Sequence, residues 1–367
     1  MVEPVNNQMQ WVNALSTRPS LEGAVEEVVE RVKAALPVKA DLGLVFISAA
    51  FASEYTRLMP LLQERLEVPV LIGCSGGGVV GMNSNQQAQE VEGEPGLSLH
   101  LAHLPGVNVK AFHIFAESMP DLDSPPDAWV ELIGVSPQEQ PQFILLADPF
   151  SSKVNDLIQG LDFAYPGCVK VGGLASGSAR IGGTGLFCNY KLYREGTIGV
   201  ALSGNIVMET IVAQGCRPIG HPYRVTNGDR NIVLGMEAES AGVGTTAKSA
   251  TPLEVLRDLI QSLSEEDRML AQHSLFVGVA RDEFKQNLEQ GDFLIRNLLG
   301  VEPSAGAIAI GDRVRAGQRI QFHLRDADTS AEDLELLLLR YQQQATTTTA
   351  SGALMFSCMG RGEGLYG

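Results

Sequence analysis

The sequence is short of positive charge. Against 43 acidic side chains stand 27 lysines and arginines, a formal charge of −16. That balance excludes a broad nucleic-acid surface, which needs a basic stripe. It favours solubility and carries no information on fold. Cysteine is scarce as well: Cys74, Cys168, Cys188, Cys216 and Cys358 are far apart, odd in number and form no CxxC pair. Neither a zinc ribbon nor a disulfide framework follows, and a reducing compartment fits best. The opening stretch MVEPVNNQMQWVNALSTRPS has no basic head and no apolar core, so it does not read as a signal peptide. No apolar run reaches the ~20 residues of a membrane span. A soluble, cytoplasmic protein is the expectation, without nucleic acid or membrane as partners. HExxH and a GxGxxG with its acidic residue are also missing, so neither a metal nor another cofactor is expected.

Glycine, by contrast, is abundant at 39 residues, and one stretch concentrates it. Residues 68–81, VPVLIGCSGGGVVG, run a short apolar strand into Gly73, Gly76, Gly77 and Gly78. An apolar run bounded by glycine reads as a buried strand. The glycines let the backbone approach a ligand or another segment closely. Residues 167–179, GCVKVGGLASGSA, repeat the pattern at an ungapped offset of 99 positions, which sets Gly73 on Gly172, Gly78 on Gly177 and Phe51 on Phe150. Each copy reads strand, helix, strand, glycine loop, opened by LVFISAAF (44–51) and FILLADPF (143–150). The expected fold is α/β, with α+β as the alternative: two similar halves with mixed sheets, built on internally duplicated strand–helix–strand–loop units whose glycine loops face one region. The plainer reading is two unrelated units that look alike because all such units do.

Along the chain, a first strand is expected at 9–16, then a helix capped by Ser20 and ended by Pro37. The helix after Ser53 carries Pro60 and so starts late or kinks. Residues 97–116, around Pro105-Gly106, read as a hairpin or strand pair. His100 and His103 would point to opposite faces of a strand and make no metal pair. Three runs over 186–215 read as antiparallel strand material. Residues 237–250, EAESAGVGTTAKSA, are polar, small and Gly-rich, and mark a boundary between a domain 1–235 and a domain 236–367. Thr251-Pro252-Leu253-Glu254 then starts a helix with a capping box. Strands follow at 274–280, 293–299, 306–311 and 318–325. Ser330-x-x-Asp333 opens a helix with Leu334, Leu337, Leu338 and Tyr341 on one face. The tract 345–352 is a loop, and GALMFSC (352–358) reads as a strand of the C-terminal part.

Several motifs carry chemistry on paper. Gly73-Cys74-Ser75-Gly76-Gly77 has the G-x-S-x-G spacing of a nucleophile elbow, which needs a helix immediately after it. VVGMNSNQQ shows no helical period. A hydrolase using Ser75 or Cys74 stands as a rival reading; a buried, inert Cys74 is favoured, since no basic partner is identified. GVGTTAKS (242–249) resembles a phosphate loop but has no strand before it. Asp148 ends a buried strand, where open α/β sheets bind ligands. It is either a binding carboxylate or the cap of the next helix.

Together, PVLIGCSGGGVVG, the KVGGLASG echo, the run GTIGVALSGNIVMETIVAQGCRPIG and the closing GALMFSCMGRG resemble the FIST family. The resemblance covers its N-terminal part (about 40–235) and its C-terminal part (about 236 onward). It implies an intracellular sensory domain that binds small ligands, with amino acids as candidates, alone or fused to signalling modules. In eukaryotes similar domains are joined to F-box segments that recruit ubiquitination substrates. No such output segment accompanies this sequence. The family pattern continues after GRGEGLYG with a helix, a strand and another glycine loop, so the C-terminal domain is expected to be incomplete. The resulting expectation is a non-catalytic small-ligand sensor whose partners are that ligand and a signalling protein; a ligand-free interaction scaffold is the second rival. The expected site gathers Gly73, Cys74, Ser75, Gly76, Gly172, Gly173 and Ser176 from the two loops. Backbone amides there would hold a carboxylate or phosphate, Arg361 would reach the same anion, and Asp148 would meet an ammonium. Cys358 lies in the same closing motif as Arg361. Close strand-to-loop packing is the alternative use of the glycines.

Overall fold

The computed structural model describes residues 8–239, 250–289, 291–344 and 350–367. They fall into two compact units: one takes the described residues up to Thr210 together with 350–367, the other those from Ile211 to Gln344. The fold class is α/β, as expected. The phosphate-loop-like 242–249, and 345–349 of the expected loop, lie outside the described residues.

The first unit begins with β1 (Gln10–Ser16) and α1 (Leu21–Ala35). Ser20 caps α1 by accepting a hydrogen bond from the Gly23 amide. Its apolar face, including Val25, Val28 and Val32, is buried. Next come β2 (Leu42–Ser48), α2 (Tyr55–Gln63) and β3 (Val70–Gly76). A 3₁₀ stretch, Ala49–Glu54, delays the start of α2, and Pro60 sits inside it. A small ribbon of β4 (Gly78–Met82) and β5 (Ala88–Glu92) leads to β6 (Leu97–His103) and β7 (Val107–Ile114). Then follow α3 (Pro126–Ile133), β8 (Gln142–Ala147), α4 (Val154–Ala164) and β9 (Lys170–Leu174). β10 (Leu186–Cys188), β11 (Lys191–Tyr193) and β12 (Thr197–Gly204) complete the strands.

Two sheets result, in the orders β1-β6-β2-β3-β10-β11 and β7-β12-β8-β9. They share one apolar layer, with Leu42, Leu44 and Ile72 of the first and Ile144, Leu146 and Val200 of the second in a single buried cluster. The alternate residues face helices. Val45 and Ile47 pack with α1 and α2, and Phe143 and Leu145 with α3 and α4. Strands apolar on both faces require cover on both, and the layer order helix–sheet–sheet–helix supplies it.

β2–α2–β3 and β8–α4–β9 are both parallel strand–helix–strand units, one in each sheet. The pairing register is not kept at the ungapped offset: Gly73 opposes Val45, whereas Gly172 opposes Leu145. The expected hairpin at 97–116 is corrected. β6 pairs with β1 and β2, while β7 pairs with β12 in the other sheet. Pro105-Gly106 is therefore a crossing between layers. The last run of the expected strand material, 206–215, is not a strand.

The second unit is a closed antiparallel barrel, in the order β13-β14-β17-β16-β15-β18. Its strands are β13 (Arg217–Asp229), β14 (Ile232–Ala238), β15 (Leu275–Ala280), β16 (Phe293–Glu302), β17 (Ala307–Ile310) and β18 (Arg319–Leu324). Val233, Val277, Ile308 and Phe322 share an apolar cluster with Val255, Leu256 and Leu259 of α5 (Pro252–Ser262). The Thr251–Glu254 capping box opens α5. α6 (Glu265–Ser274) follows α5, and α7 (Ala327–Gln344) follows β18. The expected boundary at 235/236 falls within β14, which is hydrogen-bonded to β13 and β17; the compact units divide near Thr210. GALMFSC (352–358) is also corrected: it forms no strand and belongs with the first unit. A short α8 (Glu363–Tyr366) follows it.

Candidate functional site

The two glycine loops meet. β3 runs parallel to β2 and β9 parallel to β8, and the segments leaving their C-terminal ends are joined by hydrogen bonds. Ser176 N donates to Ser75 O at 3.0 Å, Ser75 Oγ donates to Ser176 O at 3.1 Å, and Gly77 N donates to Ser176 Oγ at 3.0 Å. Gly177, at φ +90°, packs so closely that a Cβ there would stand 2.6 Å from Cβ of Ala49. C-terminal strand ends are where open α/β sheets take ligands. Here, however, one loop is largely sealed by the other.

The residues differ in what they leave open. Gly73 is buried, lies between β2 and β10, and has no room for a side chain because a Cβ would overlap Val45 O. Gly172 meets Leu145 O in the same way. Both are packing glycines inside strands, not loop-tip amides, which corrects their expected place in an anion cradle. Gly76 lies against the Gly78 carbonyl. Gly173 is exposed, and the Gly177 amide takes part in no hydrogen bond among the described residues. Within 173–178, Ala175 N and Ser176 N already donate to Ala147 O and Ser75 O, so the open donor of the cradle is the Gly177 amide.

Neither candidate nucleophile is presented. Ser75 is buried, and its Oγ also accepts from Gly185 N at 3.0 Å. β4, not a helix, follows it, so the elbow geometry is missing. Burial pushes the Cys74 thiol up to about 12, which keeps it protonated.

Asp148 is fully buried. Its Oδ2 accepts from Phe150 N (3.1 Å), Ser151 N (2.7 Å) and Ser151 Oγ (2.6 Å), and its Oδ1 from Thr184 Oγ1 (2.6 Å). Burial raises its pKa, but the hydrogen bonds of Ser151, Thr184 and Phe150 outweigh that and hold the carboxyl below its ordinary value. It turns the chain after β8, and its expected role as an ammonium partner is corrected: the carboxylate is already filled. Thr184 and Gly185, missed in the sequence, tie Asp148 to Ser75. Arg194 braces them, donating from Nη1 to Thr184 O at 2.9 Å with its guanidinium over the Tyr55 ring. A lone Thr-Gly before a strand gave no signal of this.

Residues 352–362 come to the same place. Phe356 lies beside Gly173, the Met359 thioether lies on Gly77, and the Glu92 carboxylate lies against Gly362. Cys358 is exposed and Arg361 half-buried, in the turn closed by Arg361 N donating to Cys358 O at 2.9 Å. Glu90, next to Glu92 on β5, has its pKa raised by burial and by its neighbour's charge. Among the described residues, no group of three or more His, Cys, Asp or Glu side chains could hold a metal, and no helix is long and apolar enough to cross a membrane.

The family model for the FIST N domain matches residues 41–239, and that for the FIST C domain matches 252–367. The chain belongs to the FIST family. FIST domains are generally associated with sensory signal transduction. The FIST N match covers most of the two-sheet unit and runs on through β13 and β14; the FIST C match takes in α5 to β18 and the 350–367 segment. The chain is similar to the uncharacterized protein Rv0628c of Mycobacterium tuberculosis, at 31% identity over 96% of this chain and 86% of the relative. The uncharacterized protein Mb0898c of Mycobacterium bovis is also 31% identical, over 96% of this chain and 85% of the relative.

Proposed function

We propose that this FIST protein is a non-catalytic, cytoplasmic sensory module that binds a small anionic ligand, an amino acid being the specific candidate, at loop 173–178. One observation carries the reading: the glycine loops from two facing sheets converge at the C-terminal ends of parallel strands, and residues 356–362 lie over them. The ligand carboxylate would take the Gly177 amide and the Arg361 guanidinium. An ammonium would meet the Glu90–Glu92 pair rather than Asp148. Ser75, Ser176 and Asp148 serve by fixing the loops.

The test is a thermal-shift screen of the twenty amino acids, followed by titration calorimetry of any hit against Arg361→Gln. A ligand that binds the native state raises Tm. Losing a charge-assisted hydrogen bond of about 1.5–3 kcal/mol should weaken the hit about tenfold or more. Full affinity in a folded Arg361→Gln protein, or a screen without hits, would remove the reading. A second reading, an interaction scaffold, is favoured by α7, where Leu334, Leu336, Leu338 and Leu339 are exposed.

A further inference from the structure

β1, β7, β9 and β11 stand at the edges of the two sheets in the first unit, and β9 is the undefended one. β7 exposes Asn108 and Lys110, β11 is three residues long and exposes Lys191, and Arg31 donates to Leu15 O of β1. Charge and shortness of this kind keep edges from pairing. β9 pairs with β8 alone. Val169 O accepts from Phe143 N, and Ala175 N donates to Ala147 O. Alternate residues of a parallel strand bond to the same neighbour. The N–H and C=O groups of Lys170, Gly172 and Leu174 therefore face the free edge, where none has a partner among the described residues.

Side chains leave this edge bare as well. Lys170 would be the defending charge, but it is turned onto α4: Nζ lies 2.8 Å from Asp162 Oδ1 and donates to Cys168 O at 2.9 Å, with 9% of the side chain exposed. Gly172 and Gly173 carry none. Leu174 is 56% exposed and shares the helix face with Lys170, since strand residues two apart lie on one face. The Lys170–Asp162 pair also sets the level of α4, which descends between two parallel strands. The ~6.6 Å from Lys170 to Gly172 equals about four residues of helix, which brings the exposed Ile158 level with Gly172. Phe356 reaches Gly173 on the opposite face, beside the exposed Met355. Apolar side chains border the bare edge on both faces.

We propose that β9 is a dimerisation edge, pairing antiparallel with β9 of a second copy about a two-fold axis at Gly172. Such an interface must be self-complementary, and this one is. Gly172 opposes its own symmetry mate, so the centre carries no side chain to hold the strands apart. Leu174 opposes Lys170, whose charge is already paired and whose stem is left for contact. The Ile158 side chains of the two α4 helices face each other across the axis. The ligand site is not involved, because the Gly177 amide takes no part in the pairing.

Sedimentation equilibrium across the micromolar range should show a monomer–dimer equilibrium. Hydrogen exchange of the peptide spanning 170–174 should slow as concentration rises, since the edge amides become ladder donors. Leu174→Lys sets like charges opposite each other, twice per dimer, and should weaken association about tenfold or more. Leu174→Pro removes an edge donor that β8 does not use, and should do the same without costing a bond inside the fold. Circular dichroism checks that both variants fold. A monomer at every concentration overturns the proposal and leaves the edge to a strand of another protein. A dimer whose exchange at 170–174 ignores concentration, or one that both folded variants form with unaltered affinity, overturns it too.

Discussion

Gly73 and Gly172 show what a single missing methyl does. Each sits inside a parallel strand where the neighbouring carbonyl, Val45 O or Leu145 O, occupies the space of a Cβ. Glycine is the residue that permits that approach. Gly73→Ala should therefore cost about 1–3 kcal/mol, the range for overpacking a tight interior. A lower urea midpoint with an unchanged m-value would register it. A neutral substitution would mean that the two strands have room to part. The sequence marked both positions as special and left two uses open, ligand approach and close packing, because a glycine that admits a ligand and one that admits a strand look alike in one dimension. Asp148 repeats the lesson. Its place at a strand end was legible, but whether its oxygens were filled depended on Ser151, Thr184 and the folding of 184–185 back onto Ser75.

Elements with strong local signals were legible. The Ser20 cap, the late start of α2 and the Thr251 capping box each depend on residues within a few positions of one another. Thr251→Ala removes the acceptor for the Glu254 amide and should lower the stability of the barrel unit by about 1 kcal/mol. Thermal unfolding followed by circular dichroism measures this, and an unchanged midpoint would show that packing of α5 makes the cap redundant. Where the partner is distant, the reading failed. β6 and β7 were recognisable as strands, but which strand each pairs with is set by long-range contacts. GALMFSC has the composition of a strand, yet it lies against glycines rather than along a free strand edge. α7 is a different case: of the residues expected on one face, Leu334 and Leu338 stand exposed while Leu337 and Tyr341 are half-buried.

At the scale of the molecule, each unit carries one histidine that its surroundings keep neutral at ordinary pH, half-buried His100 and fully buried His323. Burial pushes His100 in the first unit and His323 in the barrel down to about 4 from an ordinary 6.5. His323 packs against the Phe293 ring at 4.8 Å, and its Nδ1 lies 3.1 Å from Gln321 O. The unfolded chain takes up these protons near 6.5 and the folded chain only near 4. Stability is therefore complete above 6.5 and is lost as pH falls from there towards 4. For His323 the full loss is on the order of 3 kcal/mol. Urea melts between pH 7.5 and 4.5 should show this fall, and His323→Gln should flatten it in the barrel transition. A curve level from 7 to 5 would place His323 in contact with water.

By itself the sequence determined the fold class and the two strand–helix–strand units. Each of these rests on hydrophobic period, turn chemistry or a repeated pattern, all written in neighbouring residues. Only the tertiary structure decided that the two units lie in facing sheets, that the C-terminal strands close into a barrel, and which polar groups remain open. Those outcomes depend on which apolar faces find each other and which hydrogen bonds are already taken. Such pairings are made between residues up to about a hundred positions apart, as with Ser75 and Ser176, and no local pattern encodes them.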